Sequence, residues 1–298
     1  MIEVNVLSKS FGPHKAVDGV SFSVARGEVV GFLGKNGAGK TTTMRMLAGS
    51  LAVGGGTATV GGFDVTRESR KVRALVGYLP EILPLYQEMK VQSFLTFCAR
   101  LRGIKDTSAA VERVIGETGL SAVQSRVIAN LSKGYRQRVG IAQALVHRPR
   151  VLLLDEPVSG LDPTQRRDIR ELIQTLSDGE TTVLLSTHVL GEIEAICDRV
   201  LIIDEGRLIA AESIAELAKE HARVHLRVMR PDASLTEALL AVEGILSVSD
   251  QGDGEYVLDV DGDVREKIGA IAVKYGLIEL QTPLALEEAF VRLTEGEA

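Results

Sequence analysis

A glycine-rich loop that ends in a lysine and a threonine is the part of this chain best suited to bind phosphate. It follows an apolar, strand-like run at residues 28–33 and precedes a helical run that begins near Lys40. Backbone N–H groups and the positive helix end would face the phosphates, Lys40 would bridge the β- and γ-phosphates, and the Thr41 hydroxyl would bind Mg²⁺. The loop predicts a nucleoside triphosphate site, and a glycine-rich turn without a ligand is the alternative. The predicted nucleotide-binding residues here are Gly34, Asn36, Gly37, Ala38, Gly39, Lys40, Thr41 and Thr42.

Two carboxylates, Asp155 and Glu156, follow the four apolar residues 151–154. Such a run is typical of a central parallel strand buried on both faces, and ligands bind at the carboxyl ends of these strands. Asp155 is expected to hold Mg²⁺, and Glu156 to activate the attacking water as general base. An aspartate after a strand is often only a turn or helix cap, but its pairing with a phosphate loop favours the metal-binding interpretation.

Three further segments follow the phosphate loop in a fixed order: Leu131-Ser132-Lys133-Gly134-Tyr135, Ser159-Gly160-Leu161-Asp162 and Ser186-Thr187-His188. Together with the phosphate loop and the carboxylates, they resemble the ATP-binding subunits of ABC transporters. The resemblance implies that Ser132 and Gly134, in the signature segment, contact the γ-phosphate of ATP held by a second copy, so that two chains enclose two ATP molecules. It also implies that Asp162 contacts the partner chain and that His188 reaches the γ-phosphate as a catalytic residue. A histidine after a strand is otherwise often structural.

Two more positions, 11 and 81, also match the family. Phe11 resembles the aromatic residue that stacks on adenine, and a core aromatic at a strand end is the alternative. Glu81 stands where the family usually has glutamine, and a carboxylate there would add negative charge near Mg²⁺, which makes Glu81 a candidate ligand of both nucleotide and metal. Lys133 and Tyr135 also depart from the family signature. These departures resemble the subgroup that serves ABC-2-type exporters and gliding-motility systems.

The composition agrees with one large and one small domain, since the chain has 298 residues, is 45% hydrophobic and carries a formal charge of -6. The acidic balance disfavours nucleic acid as a partner. The two cysteines, Cys98 and Cys197, form neither a metal pattern nor a disulfide framework, which favours a reducing cytoplasm. Since no apolar run approaches the roughly 20 residues that span a bilayer, attachment to a membrane is expected through a partner.

The periodicity predicts an α/β fold with three parts in its ATPase domain, residues 1–220. Strands at 2–7, 17–24 and 57–60 predict an antiparallel β layer. A helical lobe is predicted over about 84–148, with helices at 87–102 and 108–118 and a signature helix that Ser132 caps and that runs to about 146. Strands at 151–154, 182–186 and 200–203, with a helix at 163–176, predict a mostly parallel core sheet.

Residues 221–298 carry none of these motifs and predict an accessory α+β domain. A capping box at Ser213 to Glu216 predicts a short connecting helix. The order of strands and helices after it, ending in a helix at 286–293, suggests a βαββαβ ferredoxin-like module. The acidic stretch from Asp250 to Glu255 lacks the ligand spacing of an EF-hand loop and is interpreted as a hairpin turn.

The sequence therefore predicts an ATP-hydrolysing subunit that powers a membrane exporter through ATP-dependent dimerisation, with ATP and Mg²⁺ as cofactors. Its expected partners are a second copy of itself and a polytopic membrane permease, at the cytoplasmic face of the cell membrane. A GTPase or kinase would not explain the signature, Asp162 and His188 together. The alternative is an ABC ATPase that acts in translation, repair or iron-sulfur assembly rather than in transport.

Overall fold

The computed structural model describes residues 1–177, 180–214, 216, 223–281 and 286. Up to residue 213 the elements in chain order are β1 (Ile2–Phe11), β2 (His14–Val24), β3 (Val29–Leu33), α1 (Lys40–Leu47), β4 (Gly55–Val60), β5 (Phe63–Asp64), α2 (Ser69–Leu75), β6 (Val76–Leu79), α3 (Val91–Leu101), α4 (Thr107–Glu117), α5 (Lys133–Leu145), β7 (Val151–Asp155), α6 (Pro163–Leu176), β8 (Thr182–Thr187), α7 (Leu190–Ile196), β9 (Arg199–Asp204) and β10 (Arg207–Ser213). After them come β11 (Arg223–Val228), α8 (Ala233–Leu240), β12 (Ile245–Gly252), β13 (Glu255–Val260), α9 (Arg265–Ala272) and β14 (Leu277–Gln281). Two compact units contain these elements, Met1–Ala211 and Glu212–Ala298. The predicted domain boundary at residue 220 lies outside the described residues.

A six-stranded sheet in the order β10-β9-β3-β8-β7-β6 forms the centre of the first unit. The strands from β9 to β6 pair in parallel. Every residue of β3, β7 and β8 is buried, as expected for strands that are covered on both faces. The α/β class is therefore confirmed, and the carboxyl ends of β3, β7 and β8 meet at one edge of the sheet.

A second sheet in the order β2-β1-β4-β5 forms the predicted antiparallel layer. Its strands extend beyond the predicted limits, since β1 continues to Phe11 and β2 begins at His14. The rings of Phe22 in β2 and Phe32 in β3 lie 5.8 Å apart, and both belong to one apolar core. This packing fixes the antiparallel layer against the parallel sheet.

The helical lobe consists of α3, α4 and α5. The predicted helix start at Gln87 is wrong, because α3 begins only at Val91. The carbonyl of Gln87 accepts a hydrogen bond from the Ala129 N–H, and the carbonyl of Met89 accepts one from the Ile128 N–H. This segment therefore pairs with a distant part of the chain and does not form a helix. The signature helix α5 begins after Ser132, whose side chain accepts a hydrogen bond from the Tyr135 N–H, which confirms the predicted cap.

The second unit contains a four-stranded antiparallel sheet in the order β12-β13-β11-β14, with α8 and α9 between its strands. This strand order confirms the suggested βαββαβ module. Between β12 and β13 lie only Asp253 and Gly254, both at positive φ, so the acidic stretch is a two-residue hairpin turn as predicted. The predicted helix at 286–293 lies outside the described residues apart from Leu286, and so does most of the predicted connecting helix.

Candidate functional site

The phosphate loop, residues 34–41, connects β3 to α1 and depends on glycine for its conformation. Gly39, the residue before α1, has φ of 103°. A Cβ at Gly39 would collide with the carbonyl oxygen of Ala16, and a Cβ at Gly34 with that of Ile203. Both positions therefore exclude side chains. Because glycine is the N-cap of α1, no side-chain oxygen there competes for the first helical N–H groups, which are free to bind an anion.

Lys40 is buried within this loop, with 6% of its surface exposed. Its Nζ atom donates hydrogen bonds to the carbonyl oxygens of Gly34 at 2.6 Å and Lys35 at 3.2 Å. The same atom lies 3.5 Å from Glu156 Oε1. The ammonium group is thus held over the loop, beside the carboxylate that follows β7. Of the other predicted loop residues, Ala38 is buried, Thr42 is half-buried, and Asn36 and Gly37 are exposed.

Asp155 is fully buried at the end of β7 and accepts three hydrogen bonds from side chains. Its Oδ1 atom accepts from Ser186 Oγ at 2.6 Å and from Thr41 Oγ1 at 3.1 Å, and its Oδ2 atom accepts from Tyr78 Oη at 3.4 Å. Burial raises the pKa of Tyr78 to about 12, and the negative charge of Asp155 adds to the increase. Tyr78 is therefore a neutral donor that helps to fix the carboxylate.

Tyr78 and Ser186 were not among the site residues predicted from the sequence. The parallel register pairs Asp155 with Ser186, and Tyr78 with Leu153. Ser186 belongs to the segment that contains His188, and Tyr78 lies three residues before Glu81, but their proximity to Asp155 follows from the order of β8, β7 and β6 in the sheet. No spacing along the chain shows which strands are neighbours.

The oxygen atoms beside Asp155 fit a magnesium ion. Thr41 Oγ1 and Asp155 Oδ1 lie 3.1 Å apart where the phosphate loop joins α1. Mg²⁺ prefers such hard oxygen ligands. No group of three or more His, Cys, Asp or Glu side chains suited to a metal occurs among the described residues. Mg²⁺ is commonly held by one or two protein oxygens together with the phosphates of a substrate. Glu81 is exposed, two residues beyond the end of β6.

Glu156 and His188 form a second pair at the same edge of the sheet. The His188 Nδ1 atom lies 2.9 Å from Oε2 and 3.0 Å from Oε1 of Glu156, so a protonated Nδ1 donates to the carboxylate. Glu156 is buried with φ of 49°, and its N–H donates to the carbonyl oxygen and to the hydroxyl of Ser186, both at 3.1 Å. A glutamate at positive φ is strained, and such strain occurs where the surrounding structure fixes a side chain for function.

The signature segment lies against a separate, open cavity of about 420 Å³. Its lining consists of Gly119, Ser132, Gly134, Tyr135, Arg138, Gln165, Asp168 and Ile169, and none of them belongs to the phosphate loop. Gln165 of α6 packs against Gly134, while Lys133 lies against Gly160. Asp162 is exposed and caps α6, since its Oδ1 accepts a hydrogen bond from the Gln165 N–H at 2.9 Å. The signature segment and the start of α6 therefore form one surface.

Phe11 lies at the end of β1 with 51% of its surface exposed, and Lys9 Nζ is 5.6 Å from the centre of its ring. An aromatic ring so exposed is not part of the core, which removes the structural alternative for Phe11. Its open face is available for stacking on a planar group.

Comparison with known proteins agrees with this geometry. The ABC transporter family model matches residues 17–159. The ABC transporter ATP-binding protein YxlF of Bacillus subtilis is 41% identical over 74% of this chain and 73% of its own length. The bacitracin transport ATP-binding protein BcrA of Bacillus licheniformis is 32% identical over 99% of this chain and 98% of its own. A solved structure of an ATP-binding subunit of an ABC transporter has a TM-score of 0.66 at 30% identity, covering 74% of this chain and 92% of that one. This chain belongs to the ATP-binding subunits of the ABC transporter family, and it is an ATPase.

Proposed function

We propose that this ATPase binds ATP with Mg²⁺ at the edge formed by β3, β7 and β8, and that two copies enclose two ATP molecules. The observation that carries the proposal is the set of contacts joining Lys40, Glu156 and His188. Each belongs to a different segment of the chain, and together they place a cation, a carboxylate and an imidazole beside the phosphate loop. This arrangement supports phosphoryl transfer to water.

Each of these side chains has a role that its contacts support. Lys40 stabilises the β- and γ-phosphates by exchanging its loop carbonyl partners for phosphate oxygens. Thr41 and Asp155 would hold the magnesium ion, which neutralises phosphate charge when it is bound. Glu156 accepts a proton from the attacking water. His188 orients the carboxylate of Glu156 and contacts the γ-phosphate.

The surface formed by the signature segment and the start of α6 supports the dimer, since Ser132 and Asp162 are exposed on it. Ser132, Gly134 and Asp162 line or border a surface that the phosphate loop of the same chain does not share. We assign Ser132 and Gly134 to the nucleotide of the second copy, and Asp162 to contact with that copy. Phe11 is assigned to stacking on adenine. Glu81 is retained as a candidate for the magnesium environment.

We further propose that the subunit powers an exporter by acting on a polytopic permease at the cytoplasmic face of the membrane. Similarity over nearly the whole chain to a bacitracin transport protein supports this over a role in translation, repair or iron-sulfur assembly. Among the described residues, no helix combines the length and apolar character needed to cross a bilayer. Co-purification with a multi-span membrane protein is the expected result, whereas recovery with ribosomes would favour the alternative.

The decisive variant is Glu156→Gln, which keeps size and hydrogen bonding but removes the base. We expect the rate of ATP hydrolysis to fall about 10² to 10⁴-fold while ATP still binds. The ATP-bound dimer should then accumulate, as measured by size-exclusion chromatography with and without ATP.

The matched variant is Glu81→Gln, which makes the same chemical change at an exposed position. It should keep its turnover at saturating Mg²⁺ and require more Mg²⁺ for half-maximal turnover. Turnover near the normal value in Glu156→Gln would remove Glu156 from its assigned role.

A further inference from the structure

A carboxylate outside the ATP site, Glu192, lies buried against Arg170 of α6. Glu192 is in the first turn of α7 and exposes 4% of its surface. Its Oε2 atom lies 3.3 Å from Arg170 Nε. Arg166, one helical turn before Arg170, also attracts the Glu192 charge. The two arginines are four residues apart and so lie on the same side of α6, where Arg170 forms the ion pair with Glu192 and Arg166 adds positive charge.

The two helices that this cluster joins begin at different parts of the functional site. Helix α6 begins after Asp162, and Arg166 Nε donates a hydrogen bond to the carbonyl oxygen of Leu161 at 2.9 Å. Helix α7 begins two residues after His188. Arg166 therefore contacts the segment that carries Asp162, and its charge attracts Glu192 in the helix that follows His188.

A second contact joins the same helices at their far ends. Gln174 Nε2 donates a hydrogen bond to the carbonyl oxygen of Ala195 at 2.8 Å. With this contact at one end and the Glu192 cluster at the other, α7 is held along α6. A shift in the first turn of α6 would thus be transmitted to the first turn of α7.

The ion pair is not well arranged to stabilise the fold. Within the described part of the chain, neither Arg170 Nε nor Glu192 Oε2 has a hydrogen-bond partner. Burial raises the pKa of Glu192, although Arg170 and Arg166 oppose that increase. A buried ion pair without good hydrogen bonds costs desolvation energy that its attraction does not fully offset. Stability alone is therefore a poor explanation for a carboxylate at this place.

We propose that Glu192 is a positioning residue that links the Asp162 segment to His188. The proposal rests on the assigned roles of Asp162 in contact with the second copy and of His188 beside Glu156. When the second copy engages Asp162, Arg166 and Arg170 move with the start of α6. Glu192 follows the two arginines, and the movement of α7 changes the position of His188 relative to Glu156, which His188 contacts at 2.9 Å in the single chain. Hydrolysis then responds to whether the second copy is bound.

The test is Glu192→Gln in the full chain, which preserves shape and removes the charge. We expect kcat to fall about tenfold, as for a modest misplacement of a catalytic group. The KM for ATP should change less than about twofold, because no contact of the phosphate loop is altered. The matched control is Glu171→Gln on the exposed side of α6, where Glu171 lies 3.8 Å from Arg167 with both side chains about two-thirds exposed. This control should keep normal kcat and KM.

A double-mutant cycle separates positioning from a general loss of packing. Asp162→Asn keeps the helix cap, because Asn and Asp cap equally well, but removes the charge. If Glu192 acts through α6, the effects of Glu192→Gln and Asp162→Asn on kcat will be strongly non-additive. Effects that simply multiply would overturn the proposal, as would a normal kcat in a folded Glu192→Gln variant.

If Glu192→Gln does not fold, the double variant Arg170→Met with Glu192→Leu serves instead, since it leaves neither member of the pair charged. The same fall in kcat with normal ATP affinity is expected, and normal kcat would again overturn the proposal. Failure of the proposed ATPase dimer is detected separately, because it would also abolish ATP-dependent dimerisation of Glu156→Gln with residue 192 intact.

Discussion

The two compact units differ in where they place charge. In the first unit, Lys40, Asp155, Glu156 and Glu192 are all buried. In the second unit, the buried side chains among the described residues are apolar apart from Tyr256. The ion pairs of its described residues lie at the surface, as in Arg265–Asp263, where hydrogen bonds from the guanidinium and the backbone N–H of Arg265 lower the pKa of Asp263 to about 2.

This difference separates residues that make the fold from residues that do chemistry. Burying a charge costs free energy unless it is paired and hydrogen-bonded, so a fold does not bury several charges at one edge for stability alone. The second unit needs only strands in which apolar and polar residues alternate. In β11 and β13, this alternation places Val224, Leu226 and Leu258 in one apolar core. The first unit combines such a core with a cluster of charges at the carboxyl ends of its strands.

The strongest test of this contrast is Lys40→Ala. It removes a cation expected to make two charge-assisted contacts with phosphate, so ATP affinity should fall about 10² to 10⁴-fold. Calorimetry measures the affinity directly. The matched control is Lys35→Ala in the same loop, where the side chain is exposed, and its affinity should change far less. Equal losses of ATP affinity in both variants would show that ATP binding depends on the positive charge of the loop in general and not on the buried ammonium group of Lys40.

The converse test removes a core residue of the second unit. Leu258→Ala should destabilise that unit by about 2–5 kcal/mol, because Leu258 is fully buried in β13. Leu246→Ala in the neighbouring strand should cost far less, since Leu246 is 69% exposed. Thermal unfolding gives the stability, and calorimetry gives the ATP affinity. A large loss of ATP affinity in Leu258→Ala would contradict the separation of the two units.

The smallest expected effect belongs to Tyr78→Phe. It removes one of three donors to Asp155 and keeps the packing of the ring. Outer donors that orient a metal-binding carboxylate typically contribute 10–100-fold in affinity, but this bond is long at 3.4 Å, so we expect about a threefold increase in the Mg²⁺ needed for half-maximal turnover. Tyr86→Phe, at an exposed ring, is the control. An unchanged Mg²⁺ titration would reduce Tyr78 to a packing role.

Much of the fold followed from local patterns in the sequence. The buried run ending at Asp155 predicted a central parallel strand, and Ser132 predicted the start of α5. The start of α3 was predicted too early, because the segment at Gln87 has helical periodicity and its pairing partner at Ala129 is distant in the chain. The alternation of strands and helices in the core was also predicted from the sequence. In contrast, the short strand β5 and the helix α2 have too few residues to show a clear hydrophobic periodicity.

The sequence by itself determined which residues are candidates to bind phosphate and magnesium, because the type and spacing of Gly34, Lys40, Thr41, Asp155 and Glu156 limit the chemistry available to them. Only the tertiary structure decided which side chains meet. Ser186 and Tyr78 reach Asp155 because their strands are neighbours of β7 in the sheet, and Glu192 reaches Arg170 because α7 packs on α6. The physical reason is that burial of the whole apolar surface decides which strands pair and which helices pack together. The spacing of residues along the chain does not contain that information.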